Sequence, residues 1–244
     1  MRVSHARRLV AALCLSAVQA ATASSAEELL RAIRADDMGA LGRVLSNDPG
    51  SADLTLADGT TPLTQAAYLE RTAMVARLQA ARTSLTFFEA CIVGDLTAVR
   101  RALARGQDVN QLSPDGFSPL GLAVFFRRSE VARLLSDAGA DVRLRSRNAL
   151  QVAPIHSAVA RGDLAMLQTL LLRGADPDQT QQRLMRPIHE AAAAGATPIV
   201  AMLLMFGADP AVRSEDGRSA ADFAAASGHV ELARRLESLA SRGQ

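Results

Sequence analysis

Ala153-Pro154-Ile155-His156-Ser157-Ala158-Val159 and Arg186-Pro187-Ile188-His189-Glu190-Ala191-Ala192 are one phrase written twice, 33 residues apart. Each copy passes a glycine (Gly162, Gly195), enters an apolar stretch and closes on Gly-Ala-Asp, at Gly174-Ala175-Asp176 and Gly207-Ala208-Asp209. Working outward, Thr61-Pro62-Leu63 leads into Ala66-Ala67, and Ser118-Pro119-Leu120 leads into Ala123-Val124 and on to Gly139-Ala140-Asp141. Fainter copies fill the gaps. Ser219-Ala220-Ala221 precedes Ala224-Ala225 and Gly228-His229. Thr86 takes the proline position before Ala90-Cys91 and Gly94-Asp95, and Glu28 takes it before Ala32-Ile33 and Asp36-Asp37. The anchors 28, 62, 86, 119, 154, 187 and 220 are spaced by 34, 24, 33, 35, 33 and 33 residues. A fixed period of this size is the mark of stacked repeats.

The physical chemistry of the phrase is that of a helix pair. Proline at the first helical turn costs nothing, because its missing N–H would be unpaired there. Paired small residues let a short first helix lie close to its neighbours. Glycines at the turns accept the positive φ that ends a helix. Asp37, Asp95 and Asp163 are placed to cap the second helices, with Thr72, Ser129 and Thr197 serving one position later. The short 62-to-86 step removes one inter-repeat segment, and the long step before Pro154 adds two residues. Glu70 and Arg127 stand where other units have the inter-helix glycine.

The pattern resembles the ankyrin repeat, a helix-turn-helix pair with a hairpin-like finger, and the resemblance covers the chain from near Glu27 to Ala240. It implies an all-α solenoid of about seven units whose stacking builds one core. It implies a binding platform for another protein, as a monomer and without catalysis or cofactor. The chain also resembles exported, periplasmic bacterial members of the family.

Residues 1–23 read as a cleaved secretory signal peptide and 24–244 as the repeat domain. Arg2, Arg7 and Arg8 precede the uncharged run Leu9 to Val18, followed by small residues that fit a cleavage site. That run falls short of the ~20 apolar residues a membrane-spanning helix needs, so no stable membrane insertion is expected after cleavage. Cys14 as a lipid anchor would want a residue smaller than Leu13 before it. All 27 basic side chains are Arg, a bias typical of GC-rich bacterial coding. The leader holds three of them and none of the 25 acids, which leaves 24 Arg against 25 acids. No global basic field remains to suggest a nucleic-acid partner. Cys91 is left without an intramolecular partner, as a buried packing residue or, failing that, a reactive thiol.

Catalytic and metal motifs are missing from the sequence. His156 and His189 occupy the His of the family's Thr-Pro-Leu-His turn, where the family uses it for local hydrogen bonds. They sit one repeat apart, about 8–10 Å, too far to share an ion ligated at about 2 Å. His189-Glu190 fails as a zinc motif at Ala193. No metal, cofactor or catalytic residue is therefore expected. The resemblance places partner contacts on Tyr68, Leu69, Ile92, Val93, Phe117, Phe125 and Phe126, with Leu112 in the finger above. These side chains either form an apolar stripe or patch the space of the missing finger. A second candidate is the finger bearing Arg143, Arg145 and Arg147, with Arg127, Arg128 and Arg133 nearby, as a grip for an acidic partner. A periplasmic adaptor or protective partner of another exported protein is the leading function. A secreted host-directed effector is the alternative, and an enzyme the third.

Overall fold

Pro62, Pro119, Pro154 and Pro187 each open a seven-residue helix, as their preset φ allows. The computed structural model describes residues 25–242. The expected signal peptide, 1–23, lies outside them. Among the described residues the chain is all helical, and one isolated antiparallel bridge joins Arg213 to Ser219.

The chain divides inside one helix into two units, residues 1–89 and 90–244. The first unit contains α1 (25–35), α2 (Met38–Asn47), a 3-10 turn (Pro49–Asp53), α3 (Pro62–Tyr68) and α4 (Thr72–Ala81). Helix α5 (Phe87–Val93) crosses into the second unit. There α6 (Leu96–Ala104), α7 (Pro119–Phe125), α8 (Ser129–Asp137), α9 (Pro154–Ala160) and α10 (Leu164–Leu172) follow. The unit ends with α11 (Pro187–Ala193), α12 (Thr197–Met205), α13 (Ala220–Ala226) and α14 (Val230–Arg242).

In the second unit α7, α9, α11 and α13 stack as a row of first helices, each packed on its own second helix. The small pairs Ala123-Val124, Ala158-Val159 and Ala191-Ala192 are buried in that row. Leu135, Leu167, Leu170, Leu203 and Leu236 close the core from the second helices. In the last repeat described Ala224 is buried but Ala225 is exposed. The first unit has its own core of Leu29, Ile33, Leu41, Leu63, Met74 and Leu78.

The Asp caps form as expected. Asp37, Asp95 and Asp163 accept from the N–H of Ala40, Ala98 and Met166. Thr72, Ser129 and Thr197 do not cap. Each is itself the first helical residue, and Arg71, Arg128 and Ala196 stand at the cap position without a side-chain bond. Glu70 and Arg127 adopt φ 57, the left-handed backbone that Gly162 and Gly195 adopt at φ 65 in the same turn. With Asp36 at φ 55 between α1 and α2, the repeat geometry overrides local preference at three non-glycine positions, which costs roughly 1–2 kcal/mol each.

One register expectation is corrected. Thr86 is the capping residue of α5, not its first helical residue: the Glu89 N–H bonds to Thr86 Oγ1 (3.2 Å) and the Thr86 N–H to Glu89 Oε2 (2.8 Å). The proline place belongs to Phe87. The turn after α5 is correspondingly one residue shorter than in the repeats around it.

Candidate protein-binding surface

The first helices begin at the fingers, and the residue at their third position ties the two together. His156 Nδ1 accepts from the Ala153 N–H (3.0 Å), which leaves the proton on Nε2, facing the Gln179 carbonyl at 2.9 Å. His189 repeats this with the Arg186 N–H (3.1 Å) and the Val212 carbonyl (3.1 Å). Burial pushes His156 down to about 4 and lowers His189 as well, against the smaller opposing pull of those carbonyls. Both ring nitrogens are thus spent on structure. Cys91 is fully buried, and burial pushes its thiol up to about 12. Among the described residues no three His, Cys, Asp or Glu side chains cluster in a way that could hold a metal ion.

Ile92 does not lie on a surface. It follows its cap Thr86 at the interval that separates Val159 from Ala153, and it is only 1% exposed. Tyr68 and Leu69 lie in the first unit, Tyr68 half-buried and Leu69 exposed. In the second unit Val93, Leu112, Phe117, Phe125 and Phe126 are all half-buried. Phe125 and Phe126 meet edge to face with centroids 5.2 Å apart. The Arg161 guanidinium lies 5.2 Å from the Phe125 centroid, near enough for a cation–π contact. These rings are shared between packing and surface.

The arginines of 127–147 do not form one patch. Arg127 and Arg128 sit at the C-terminal end of α7, a helix length of about 10 Å from its finger. There they donate to the Arg161 and Ile92 carbonyls. Arg133 is on α8. Arg143, Arg145 and Arg147 are exposed on the finger. Arg143 donates to Gly174 O (2.6 Å) and Arg145 to Thr180 O (3.5 Å).

The sequence reading overlooked several exposed apolar side chains. Leu150 and Leu184 stand at finger tips, 42% and 54% exposed. Leu172 and Met205, at matching ends of α10 and α12, are 70% and 83% exposed. The signal for the tips was present in the sequence: Arg183-Leu184 replaces the Asp-Gly that Asp115-Gly116 and Asp216-Gly217 provide.

Residues 155–241 match the family model for ankyrin repeats, in three copies. These are ankyrin repeats. The fold is accordingly an all-α ankyrin solenoid, and repeats of this family are protein–protein interaction modules. No curated protein matches the chain. Among the described residues no helix is long and apolar enough to cross a membrane.

Proposed function

We propose that this chain is a non-catalytic periplasmic adaptor, or protective partner, that binds another exported protein. The observation that carries the reading is the edge-to-face pair Phe125 and Phe126, half-buried at the C-terminal end of α7 in the second unit. Stacking there needs only the small pair, as the alanines at 160, 193 and 194 of later repeats demonstrate. Partly exposed aromatics at such positions offer large contact area at small entropic cost. The titratable groups that chemistry would use are instead consumed, since His156 and His189 are hydrogen-bonded at both nitrogens and Cys91 is buried. The export half of the reading is supported by the charged, apolar and small segments of residues 2–23.

The test is affinity purification of the tagged chain from fractionated cells, wild type beside Phe125→Ala/Phe126→Ala. An exported protein recovered from the periplasm with the wild type and lost with the variant is the expected result. Recovery of the chain in the medium or inside another cell favours the secreted effector. A cytoplasmic chain with an intact Met1 removes the export reading.

A further inference from the structure

The second helices of the last four repeats present the same three places to solvent. On α8 these are Glu130, Arg133 and Asp137, and on α14 Glu231, Arg234 and Ser238, all exposed. On α10 they are Ala165, Gln168 and Leu172, and on α12 Pro198, Ala201 and Met205, also exposed. Neither α10 nor α12 contains a charged residue. Leu172 and Met205 are the most exposed large apolar side chains among the described residues. A helix that is apolar on nearly every side is built for an interior, whereas a solvated outer helix keeps a charged face. By that measure α8 and α14 are outer helices, and α10 and α12, adjacent between them, are built to be covered.

The charges that border this face are taken up or balanced. Asp163 caps α10 through the Met166 N–H, and Arg173, beyond its last turn, is paired with Asp137 at 2.6 Å. Each flanking helix carries both signs, so the border selects neither an acidic nor a basic partner. A charged group brought onto the face would lose water without gaining a counter-charge. The occupant that fits is therefore itself apolar and uncharged. The α10–α12 face is such a surface, and every copy of the chain brings one, so a two-fold pairing sets the patch on its like. Two nine-residue helices side by side cover about 14 Å by about 20 Å, on the order of 300 Å². That is less than the roughly 800 Å² per partner of a stable complex, and suits a pairing that forms and dissociates.

We infer that the α10–α12 face is where two copies of this chain associate into a reversible dimer. Leu172 and Met205 are its anchors, because the most exposed apolar side chains lose the most contact with water on pairing. The dimer departs from the monomer that the repeat resemblance implies. It is independent of the adaptor reading, whose rings Phe125 and Phe126 lie at the end of α7.

Sedimentation equilibrium of the purified chain, from about 1 μM to about 500 μM, spans the range in which an interface of this size is half-formed. The mass should rise from monomer toward dimer with concentration. Leu172→Glu/Met205→Glu should weaken association by about a hundredfold or more, because like charges then meet on pairing. Ala165→Glu/Gln168→Arg installs the pair that α8 and α14 already carry at these places, so it preserves the fold, and it should weaken association as well. Both variants should keep the wild-type thermal midpoint, since every changed residue is exposed. Leu184→Glu, at a finger tip, and Phe125→Ala/Phe126→Ala should associate as the wild type does. A chain that is monomeric at every concentration overturns the inference, as does wild-type association by Leu172→Glu/Met205→Glu. Loss of the dimer only in Leu184→Glu or in the phenylalanine variant places the contact elsewhere and overturns it too. If the chain is monomeric and Leu172→Glu/Met205→Glu instead loses an exported protein that the wild type recovers, the face belongs to a different partner. This inference then fails while the adaptor reading stands.

Discussion

The Arg82 guanidinium and the Glu89 carboxylate form an ion pair (Nη2–Oε2 3.1 Å) whose side chains are only 5% and 1% exposed. Arg82 also donates to the carbonyls of Ala52 (2.6 Å) and Ser84 (3.2 Å). Glu89 accepts from Thr61 Oγ1 (2.6 Å) and the Thr86 N–H (2.8 Å). This is the place where the step between repeats is too short for a finger. Glu89 holds the helix position at which His156 and His189 reach for finger carbonyls, and here a cation stands in for the missing backbone.

A buried pair is costly to break and cheaper to replace whole. Arg82→Ala should destabilise the chain by about 3–5 kcal/mol, because it leaves the Glu89 charge uncompensated. The double change Arg82→Met/Glu89→Leu should cost much less. Urea midpoints of the two variants decide the matter, and an equal loss in both would show that the packing, not the pairing, matters.

Acid should weaken the second unit through its histidines. The folded His156 titrates near 4, whereas the unfolded ring titrates at 6.5. Its contribution is present above pH 6.5 and is lost as pH falls toward 4, about 3 kcal/mol over that window. His189 acts in the same direction. Glu190, pushed up to about 6 by burial, acts oppositely and favours the folded chain as pH falls from 6 to its unfolded value of 4.5. Stability measured from pH 7 to pH 4 should therefore fall less steeply in His156→Gln than in the wild type.

The phenylalanine pair should contribute to folding at an intermediate level. Phe125 and Phe126 are half-buried and meet edge to face. Phe125→Ala should cost about 1–2 kcal/mol, from part of the ring area and the edge contact. A loss of about 3–5 kcal/mol, as for a core ring, would place these residues wholly in packing and leave the finger tips as the surface to test.

Relieving the strained tip at Leu184, whose φ is 52, should not harm folding. Arg183→Asp/Leu184→Gly exchanges a left-handed leucine for glycine, whose lower strain is partly offset by its greater unfolded freedom. The expected change is a gain of about 1 kcal/mol or less, read as a slightly raised thermal midpoint. A clear fall would mean that Leu184 packs rather than protrudes.

Two glycines of one turn type should respond differently. Gly162 and Gly195 share φ 65, but a Cβ on Gly195 would lie within 2.7 Å of the His229 ring, while one on Gly162 meets nothing within 4 Å. Gly162→Ala should cost about 1 kcal/mol for its backbone alone, and Gly195→Ala distinctly more. Thermal melts of the pair give the comparison.

The prolines, the small pairs and the Gly-Ala-Asp closures were sufficient to place the helix pairs, because capping, proline geometry and left-handed stops act within a few residues of chain. Cys91 is buried in either register, because both positions of the small pair are buried, as Ala66 and Ala67 are. The sequence did not place Ile92: the fault was a single residue at Thr86, and only the Thr86–Glu89 bonds and the burial of Ile92 itself set the count. Nor did it separate Arg127 and Arg128 from the finger arginines, since neighbours along the chain diverge once a helix length lies between them. Tertiary structure alone brought Arg82 to Glu89 and the Leu150 tip to the Leu184 tip, where the Gln182 N–H bonds to the Leu150 carbonyl at 3.1 Å. These are contacts between residues that no local rule couples, made possible because each repeat fixes the position of the next.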